Sequence, residues 1–483
     1  MKSIYKIGMI SCLVWLISCD NLSDINIDPN NSITARPKEV LTSVQVYTAY
    51  VLDAQYNDLA FLWGQYWTWG AGVAISDYCR YAQNPKFGNL VWERSYSDAL
   101  ADIKFLKASG QKGYSGIAKV LEAFIYEYLV DHFGDIPYSS AIKGAISDGS
   151  VLAPAYDDDA AIYPQLVISL DDAIAELTNA AADPLVTVGS EDLMYGGDLS
   201  SWIKFANSLK LRILMRMSDV VDVSSQVQST VAFGMFIETP DEIAEIPFSG
   251  DAGSESPMYA LEESLIGLFY KAASTVTDVM DATNDPRKFI MYDEAENFPG
   301  EIKAAAQNQI PSEFTSVSAD WSSPSAVAYG ASVPTIFISN WETWFLRAEA
   351  ALKFNTGGDA SSAFSTAISD NFAYVGAPEA DVFIQGLGFD GASAPDKINL
   401  IGVQKWISMN GLQEAEGWIE ARRFDTPENP IFTGVTGIFQ TPLLTALGDR
   451  EFPVRWLYPE SEQSLNPNAP PQSKLTTKVF WDR

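Results

Sequence analysis

The sequence has very few of the residues from which most catalytic and metal sites are built. Its 483 residues include one histidine, His132, and three cysteines. A Ser-His-Asp triad or a multi-histidine metal site would have to be built on that single histidine. We therefore expect neither class of site, and we assign no catalytic role to His132.

Basic residues are also scarce. The chain has 31 Lys and Arg residues against 62 Asp and Glu residues, which gives a formal net charge of −31. Nucleic acid is thereby excluded as a partner, because binding phosphates needs clustered Lys and Arg side chains. An anionic membrane surface is disfavoured as a docking site for the same reason. With 47% hydrophobic residues, the chain is nevertheless apolar enough to form a packed core.

Long apolar runs are absent, and the N-terminal one is short. Residues 1–18 begin with Lys2 and Lys6 and continue as an apolar run over 7–17, shorter than the roughly 20 residues that span a bilayer. Such a segment is typical of a secretory signal peptide. It ends in Leu-Ile-Ser-Cys at 16–19, which resembles the lipobox of bacterial lipoproteins. A plain signal peptide with an incidental cysteine is the alternative.

Cys19 would become the lipidated N-terminus, with palmitate among its acyl chains. Buried acyl chains contribute about 0.8 kcal/mol per CH₂ group and anchor a protein without a transmembrane helix. Acidic residues at 20–24 resemble the surface-export signal of Bacteroidetes lipoproteins. We predict a signal peptide at 1–18, a lipidated tether at 19–35 and a folded body at 36–483, attached to the outer membrane and facing the cell exterior.

Most of the body has the spacing of apolar residues that is typical of helices. The pattern predicts helices over 114–132, over 166–177, and from a cap at Ser200 or Ser201 to about 218. Gly134 is expected to end the first helix. Pro164 fits the first turn of the second helix, or it interrupts a longer one. Cations on the third helix are expected to pair with neighbouring carboxylates.

The helices predicted at 341–354 and 360–372 form the clearest pair. The Asn-Thr-Gly-Gly-Asp segment between them forms the turn, because glycine tolerates positive φ angles. This pair resembles a tetratricopeptide unit, but the chain has no clean repeat consensus. We predict a mainly α fold, an irregular tetratricopeptide-like scaffold of helix pairs with a loop-rich second region. The loop-rich stretches are 230–259, 294–334 and 374–398, where binding surfaces are usually built.

Motifs spread over nearly the whole mature chain resemble those of the SusD/RagB family of outer-membrane lipoproteins. They are Ile-Asp-Pro-Asn at 27–30, Asp-His-Phe-Gly-Asp-Ile-Pro-Tyr at 131–138, Gly-Asp at 197–198 with the helix at 202–212, Asp-Pro-Arg at 285–287, Leu-Arg-Ala-Glu-Ala at 346–350, Arg-Arg at 422–423, Pro-Val-Arg at 453–455 and Tyr-Pro-Glu-Ser-Glu at 458–462. We expect structural roles for these residues, with Arg212, Arg422 and Arg455 held in bidentate pairs with carboxylates.

The resemblance to this SusD-like, starch-binding branch implies more than the residues alone. It implies a tetratricopeptide-like helical scaffold and a surface lipoprotein that acts as the lid of a SusC-like TonB-dependent transporter. It implies a nutrient-binding protein of polysaccharide utilisation that captures a glycan. It also implies that the protein is not an enzyme and needs no cofactor. Proteins of the RagB type bind peptides, so a peptide ligand is the alternative.

Aromatic residues make up 12% of the chain and include 13 tryptophans. Sugar rings bind to flat aromatic faces, and nearby amides and carboxylates bind their hydroxyl groups. The candidate ligand-binding residues are a dense cluster and one tryptophan in a Ser/Pro-rich loop: Trp63, Tyr66, Trp67, Trp69, Tyr81, Trp92 and Trp321. The alternative is that these rings pack between helices, as aromatic residues at helical spacing usually do.

Other interpretations stay open. A glycoside hydrolase would need two carboxylates about 5 to 10 Å apart, and 62 acidic residues do not exclude such a pair by number. A structural tetratricopeptide-like adaptor would bind the transporter and no ligand. Three consecutive aspartates at 157–159 are expected at a helix N-terminus, where carboxylates complement the helix dipole. A calcium site at these aspartates is the alternative.

Overall fold

The computed structural model describes residues 35–69, 77–144, 152–265, 270–308 and 318–483. The predicted signal peptide, the lipidation site Cys19 and the tether up to residue 34 lie outside the described residues. Across the described part of the chain, no helix combines the length and the hydropathy that a membrane crossing needs.

Two long helices, each with a π-helical section, begin the fold. Helix α1 consists of Pro37–Val51, the π-helical Leu52–Asn57, and Asp58–Trp63. Helix α2 consists of Gly88–Glu93, the π-helical Arg94–Leu100, and Ala101–Ala108. α1 ends at Gly64, where a Cβ atom would lie 2.8 Å from the Ala60 carbonyl oxygen and from the Tyr66 ring. The glycine therefore lets the chain turn sharply beneath that ring.

Helices α3 (Lys112–Phe133), α4 (Asp159–Ala181) and α5 (Leu199–Met217) pack in sequence against one another. α3 ends at Gly134, which has a φ of +75°, as predicted. α4 is longer than predicted and contains Pro164 in its interior, which agrees with the interrupted longer helix. The prediction that Ser200 or Ser201 caps α5 is wrong. The cap is Asp198, because its carboxylate accepts hydrogen bonds from the Ser200 N–H and the Ser201 hydroxyl.

Shorter helices and two small sheets lead into the second half of the chain. The helices are α6 (Ser224–Phe233), α7 (Pro257–Leu265), α8 (Ser274–Thr283) and α9 (Lys288–Met291). Strand β1 (Trp67–Trp69) pairs antiparallel with β3 (Tyr270–Ala272), and β2 (Ala244–Ile246) pairs antiparallel with β4 (Thr335–Ile338). Strands this short carry too little alternation to be predicted from the sequence.

Helices α10 (Asn340–Phe354) and α11 (Ala360–Val375) confirm the predicted pair. Asn355 and Gly357 in the connecting turn have φ angles of 48° and 79°. Phe345 and Ala348 of α10 are fully buried, as are Phe364 and Ala367 of α11, so small and aromatic side chains fill the contact. The predicted mainly α fold is confirmed.

The prediction of a loop-rich stretch at 374–398 is wrong. It contains the end of α11, helix α12 (Ala380–Leu387), a 3₁₀ turn (Phe389–Gly391) and the start of α13 (Ala394–Ser408). Its Gly and Ser residues end and begin short helices instead of forming a loop. Gly388 has a φ of +66° after α12, and the Ser393 hydroxyl caps α13. Helices α14 (Glu414–Phe424) and α15 (Glu460–Leu465) follow, and the chain continues without a further helix in its described residues to residue 483.

A buried network of ionic side chains lies between α3, α5 and α14. Arg212 and Arg216 of α5 have fully buried side chains. The Arg212 guanidinium binds both carboxylate oxygens of Glu127 on α3, which confirms the predicted bidentate pair. Arg216 binds Glu127 at 3.1 Å and also contacts Glu416 of α14. The predicted pairing of the α5 cations is confirmed.

The same network continues to the second half of the scaffold. Lys405 of α13 binds Glu420 of α14 at 2.8 Å. Arg423 binds Glu349 of α10 through two N–H groups, at 2.8 and 2.6 Å. A buried charge without a partner costs several kcal/mol, so each of these helices is held where its partner charges lie. We name this set of residues on α3, α5, α10, α13 and α14 the ion network.

The other two motif arginines depart from the predicted pairing. Arg422 contacts a carboxylate, Asp482, through one nitrogen only, at 3.1 Å. Arg455 donates to the backbone carbonyl of Phe133 instead of a carboxylate. A carbonyl at the C-terminal end of α3 lacks a helical partner, and the guanidinium satisfies it.

We predict that Arg216→Met lowers the free energy of unfolding by about 3–5 kcal/mol, because it leaves several buried carboxylates without their cation. Urea unfolding followed by circular dichroism measures the change. The matched control is Lys107→Met, which removes a partly exposed pair with Glu122 and should cost less than about 1 kcal/mol. Equal effects of the two substitutions would contradict the role given to the ion network.

A second prediction concerns pH and Glu414, the first residue of α14. Burial raises the pKa of Glu414 from its ordinary 4.5 to about 8, and the nearby Asp53 carboxylate adds to the rise. The folded state therefore binds the proton of the Glu414 carboxyl group more tightly than the unfolded state does. This group's contribution to stability is full below pH 4.5 and falls as the pH rises towards 8, by at most about 1.4 kcal/mol per pH unit.

Glu414→Gln replaces the carboxyl group by an amide that does not ionise. The substitution should therefore reduce the loss of stability between pH 5 and pH 8. We expect urea midpoints measured at pH 5 and pH 8 to differ less in the variant than in the unsubstituted protein. An unchanged difference would show that Glu414 ionises freely in the folded state.

Candidate functional site

The aromatic residues predicted to bind ligand fall into two groups in the structure. Trp69 and Trp321 are half-buried and keep part of their surface accessible. The others are buried, with 0–7% of their surface exposed: Trp63, Tyr66, Trp67, Tyr81 and Trp92. For these five residues the structure agrees with the alternative interpretation, in which the rings pack inside the protein.

Hydrogen bonds and ring contacts hold the buried group within the protein. The Trp63 indole N–H donates to the Tyr78 carbonyl at 3.1 Å, and the Tyr66 hydroxyl donates to the Trp406 carbonyl at 2.8 Å. A Cβ atom on Gly417 would lie 1.9 Å from the Tyr66 hydroxyl oxygen, so this glycine of α14 is required for the contact. These rings join α1 to α13 and α14.

Strand β1 places Trp67 and Trp69 on the same face of a two-stranded sheet. In the β1–β3 register, Trp67 lies opposite Ala272 and Trp69 lies opposite Tyr270. Alternate residues of a strand point to the same side, and both indoles contact the Tyr270 ring, at 5.8 and 5.6 Å between centroids. The inner ring, Trp67, is buried, whereas Trp69 lies at the accessible end of the strand.

Two tyrosines from distant segments extend this surface. Tyr329 lies 6.3 Å from Tyr270, and Tyr259 of α7 lies 5.5 Å from Tyr329, both between ring centroids. Tyr259 and Tyr329 are half-buried like Trp69. We name Trp69, Tyr259, Tyr270 and Tyr329 the aromatic patch. The sequence analysis did not name these tyrosines as candidates, although Tyr259 and Tyr329 both belong to stretches predicted to be rich in loops.

Polar contacts fix the rings of the aromatic patch and the sheet beneath them. The Tyr270 hydroxyl donates to Asp58 at 3.0 Å. Lys271, on the opposite face of β3, donates to the Ser323 hydroxyl at 2.7 Å, and burial lowers the pKa of this lysine. The Gln307 side-chain amide donates to the Trp67 carbonyl at 2.9 Å. These contacts hold the Tyr270 ring and the two strands beneath the patch in place.

Trp321 lies beside the other edge of β3. The neighbouring Ser322 carbonyl accepts a hydrogen bond from the Ala272 N–H at 2.8 Å. Among the residues that the structure describes, the Trp321 indole N–H has no hydrogen-bond acceptor. Trp69 and Trp321 thus flank one strand from its two sides, and both remain candidates for ligand contact.

The acidic run at 157–159 begins helix α4, as predicted. Asp158 caps the helix and accepts a hydrogen bond from the Ala161 N–H. Asp135, Asp158 and Asp159 each place a carboxylate oxygen within 4.8 Å of the others. Asp157 is not in this group, because its carboxylate accepts hydrogen bonds from the N–H groups of Tyr138 and Ser139. Calcium prefers clustered oxygen ligands, and the calcium alternative at 157–159 stays a prediction.

His132 is fully buried and packs against aromatic rings. Its Nδ1 atom is 2.7 Å from the Tyr128 carbonyl oxygen, and its ring lies 4.2 Å from that of Tyr56 and 4.9 Å from that of Trp456. Burial lowers the pKa of this histidine well below 6.5. The ring is therefore neutral near pH 7.

Comparison with solved structures shows the fold. A SusD homolog from Bacteroides uniformis matches with a TM-score of 0.75 and 22% identity, over 92% of this chain and 99% of the other. A chitin-binding SusD homolog from Flavobacterium johnsoniae matches with a TM-score of 0.75 and 23% identity, over 92% and 97%. A SusD/RagB family protein from Bacteroides thetaiotaomicron matches with a TM-score of 0.73 and 20% identity, over 93% and 99%.

A comparison with curated proteins finds no match. The model of a SusD-like family, described as starch-binding and associating with the outer membrane, matches residues 29–459. That range includes the ion network, the aromatic patch and most of the motifs noted above. From this match over most of its length, we conclude that the chain belongs to the SusD-like family.

Proposed function

We propose that this protein captures a neutral glycan at the aromatic patch and delivers it to a SusC-like TonB-dependent transporter, on which it acts as a lid. Lipid attached to Cys19 holds it on the outer membrane, facing the cell exterior. SusD-like proteins bind nutrients and do not catalyse reactions, so the ligand leaves the site unchanged. The observation that carries the proposal is the group of accessible rings contributed by Trp69, Tyr259 and Tyr329.

The geometry of the patch suits a sugar ring. Its rings belong to β1, α7, β3 and a loop, and their mutual contacts hold them in place. A preformed aromatic surface binds the apolar C–H face of a sugar with little ordering cost. A starch-binding description for the family and a chitin-binding relative support a glycan over a peptide.

Charge favours a neutral glycan over an acidic one. The chain carries a formal net charge of −31, and such a field repels polyanions at a distance. Polymers of glucose and of N-acetylglucosamine carry no net charge at neutral pH. We therefore expect oligosaccharides of these two types to bind more tightly than polyuronates. A binding assay must also include peptides, because a peptide is the ligand expected of an RagB-type protein.

We predict that Trp69→Ala and Tyr329→Ala each weaken oligosaccharide binding at least about tenfold, because truncating a central aromatic contact costs about 2 kcal/mol. Calorimetry with malto- and chito-oligosaccharides measures the change, and Trp321→Ala tests the second tryptophan. Phe233→Ala is the matched control, since Phe233 is an exposed ring on α6 outside the patch. Unchanged affinity in the Trp69 and Tyr329 variants, or binding of peptides only, would contradict the proposal.

Attachment to the membrane gives a separate test. In cells, Cys19→Ala should abolish acylation, and the protein should leave the outer-membrane fraction because no acyl chain anchors it. Mass spectrometry of the mature N-terminus and cell fractionation measure these outcomes, with Cys12→Ala as the control. Co-purification of the unsubstituted protein with a SusC-like transporter tests the proposed association with that partner. Retention of the Cys19→Ala variant in the membrane would show that another segment anchors it.

A further inference from the structure

Asp53, in the π-helical section of α1, holds the chain segment that begins α7. Its Oδ2 atom accepts hydrogen bonds from the Ser256 hydroxyl at 3.0 Å and from the Met258 N–H at 2.9 Å. Hydrogen bonds to a carboxylate are roughly twice as strong as those between neutral groups, and only 9% of Asp53 is exposed. Tyr259 of the aromatic patch directly follows Met258 in the sequence. The Asp53 carboxylate therefore fixes the backbone that carries this ring.

The same attachment reaches the loop that carries Tyr329. The Ser256 N–H donates to the Ala331 carbonyl at 2.7 Å, and Ala331 lies two residues after Tyr329. The rings of Tyr259 and Tyr329 contact each other, with 5.5 Å between their centroids. Asp53 therefore holds both half-buried tyrosines of the aromatic patch, one through the start of α7 and the other through Ser256.

A second buried carboxyl group, that of Glu414, lies near Asp53. Both residues line one cavity of about 10 Å³, which is the space of about one water molecule. The walls of this cavity also include Ser256, Met258 and Tyr329. In the described part of the chain, no Lys or Arg side chain pairs with either carboxyl group. The cavity beneath the two tyrosines therefore contains two acids and no cation that would balance a second negative charge.

The surroundings of the two carboxyl groups favour a charge on Asp53 and a proton on Glu414. Hydrogen bonds from Asn57, Ser256 and Met258 oppose the rise that burial causes in the pKa of Asp53. Burial raises the pKa of Glu414 to about 8, and the charge of Asp53 adds to the rise. Glu414 is therefore neutral at pH 6 and about half ionised at pH 8.

The other titratable groups around Glu414 are tyrosine hydroxyls, those of Tyr66, Tyr292 and Tyr329. Tyrosine ordinarily ionises near pH 10, and burial raises the pKa of Tyr66 and Tyr292 above that value. These hydroxyls therefore stay neutral between pH 6 and pH 8. Glu414 is the group in this cavity whose charge changes over that range.

We propose that Asp53 is a positioning residue of the glycan site, and that the proton on Glu414 allows it to hold Tyr259 and Tyr329 in place. This inference rests on the proposed function of the aromatic patch. Loss of the proton places a second negative charge in a small buried cavity, where like charges repel each other strongly. Movement of the α7 segment away from Asp53 lets water reach Glu414, so ionisation favours the displaced segment. The site therefore binds a glycan more tightly at pH 6 than at pH 8.

Hydrogen exchange of the ligand-free protein tests the attachment without any glycan. The protection factor of peptides that contain Met258 should fall at least about tenfold between pH 6 and pH 8. The reason is that a group whose pKa rises from 4.5 to about 8 on burial favours its own exposure by up to about tenfold per pH unit over that range. Peptides from α4 are the reference and should keep their protection.

Two substitutions assign the effect to Glu414. Glu414→Gln cannot ionise and should remove the fall in protection. Glu93→Gln, at an exposed position of α2, is the matched control and should leave the fall unchanged. Protection that does not depend on pH in the unsubstituted protein, an equal fall in α4, or the same fall in both variants would overturn the inference.

Calorimetry with malto- and chito-oligosaccharides tests the consequence for binding. The affinity of the unsubstituted protein should be at least about threefold higher at pH 6 than at pH 8, because a displaced segment lowers the fraction of binding-competent molecules. Glu414→Gln should make the two affinities equal. At pH 6, Asp53→Ala should weaken binding at least about tenfold, and Ser256→Ala, which leaves the Met258 hydrogen bond, should weaken it less. Urea midpoints confirm that the variants are folded, and Ser256→Ala serves as the test if Asp53→Ala is not.

The two experiments separate this inference from the proposed function. Failure of every oligosaccharide to bind the unsubstituted protein would contradict the proposed function, and the exchange experiment would still decide whether Asp53 and Glu414 control the α7 segment. Binding that is equal at pH 6 and pH 8, or that Asp53→Ala and Ser256→Ala leave unchanged, would overturn the inference and leave the proposed function standing.

Discussion

The buried pairing of arginines with carboxylates is the constraint on which the rest of the structure depends. Arg212 and Arg216 of α5 bind carboxylates from α3 and α14, and the network extends through Arg423 to α10. Hydrophobic contacts tolerate small slides between helices, whereas buried charges do not, because each misplaced charge loses its partner in a medium of low dielectric constant. The network thus fixes how the first and second halves of the scaffold meet.

The aromatic patch depends on that arrangement. Tyr66 and Trp63 attach the segment before β1 to α13 and α14, and these are the helices that the ion network positions. β3 then pairs with β1, and its Tyr270 ring contacts both Trp69 and Tyr329. Rings on a rigid support lose little freedom on binding. In the proposed function, the scaffold therefore contributes to glycan capture by holding a few rings in place.

Local patterns predicted the long elements well and the small ones poorly. The α10–α11 pair and the end of α3 at Gly134 follow from helical spacing and from glycine in a left-handed conformation. The cap of α5 was mistaken, because Asp198 and two serines stand together and only geometry selects among them. Trp69 could be named as a candidate because it stands in a dense aromatic cluster, whereas Tyr259 and Tyr329 join the same surface only through the tertiary fold. The partners of Arg216 could not be predicted either, because Glu416 lies on a helix in the other half of the chain and only the tertiary fold brings the two together.

The pairing of β1 with β3 has a consequence for how binding and folding are linked. Its two strands lie roughly 200 residues apart in the sequence, so the surface that they carry forms late and only with the whole body assembled. A ligand that touches both strands binds the native chain and no unfolded one, and it therefore stabilises the entire molecule by mass action. If the protein faces the cell exterior as proposed, its ligand-bound form would resist proteases better than its empty form.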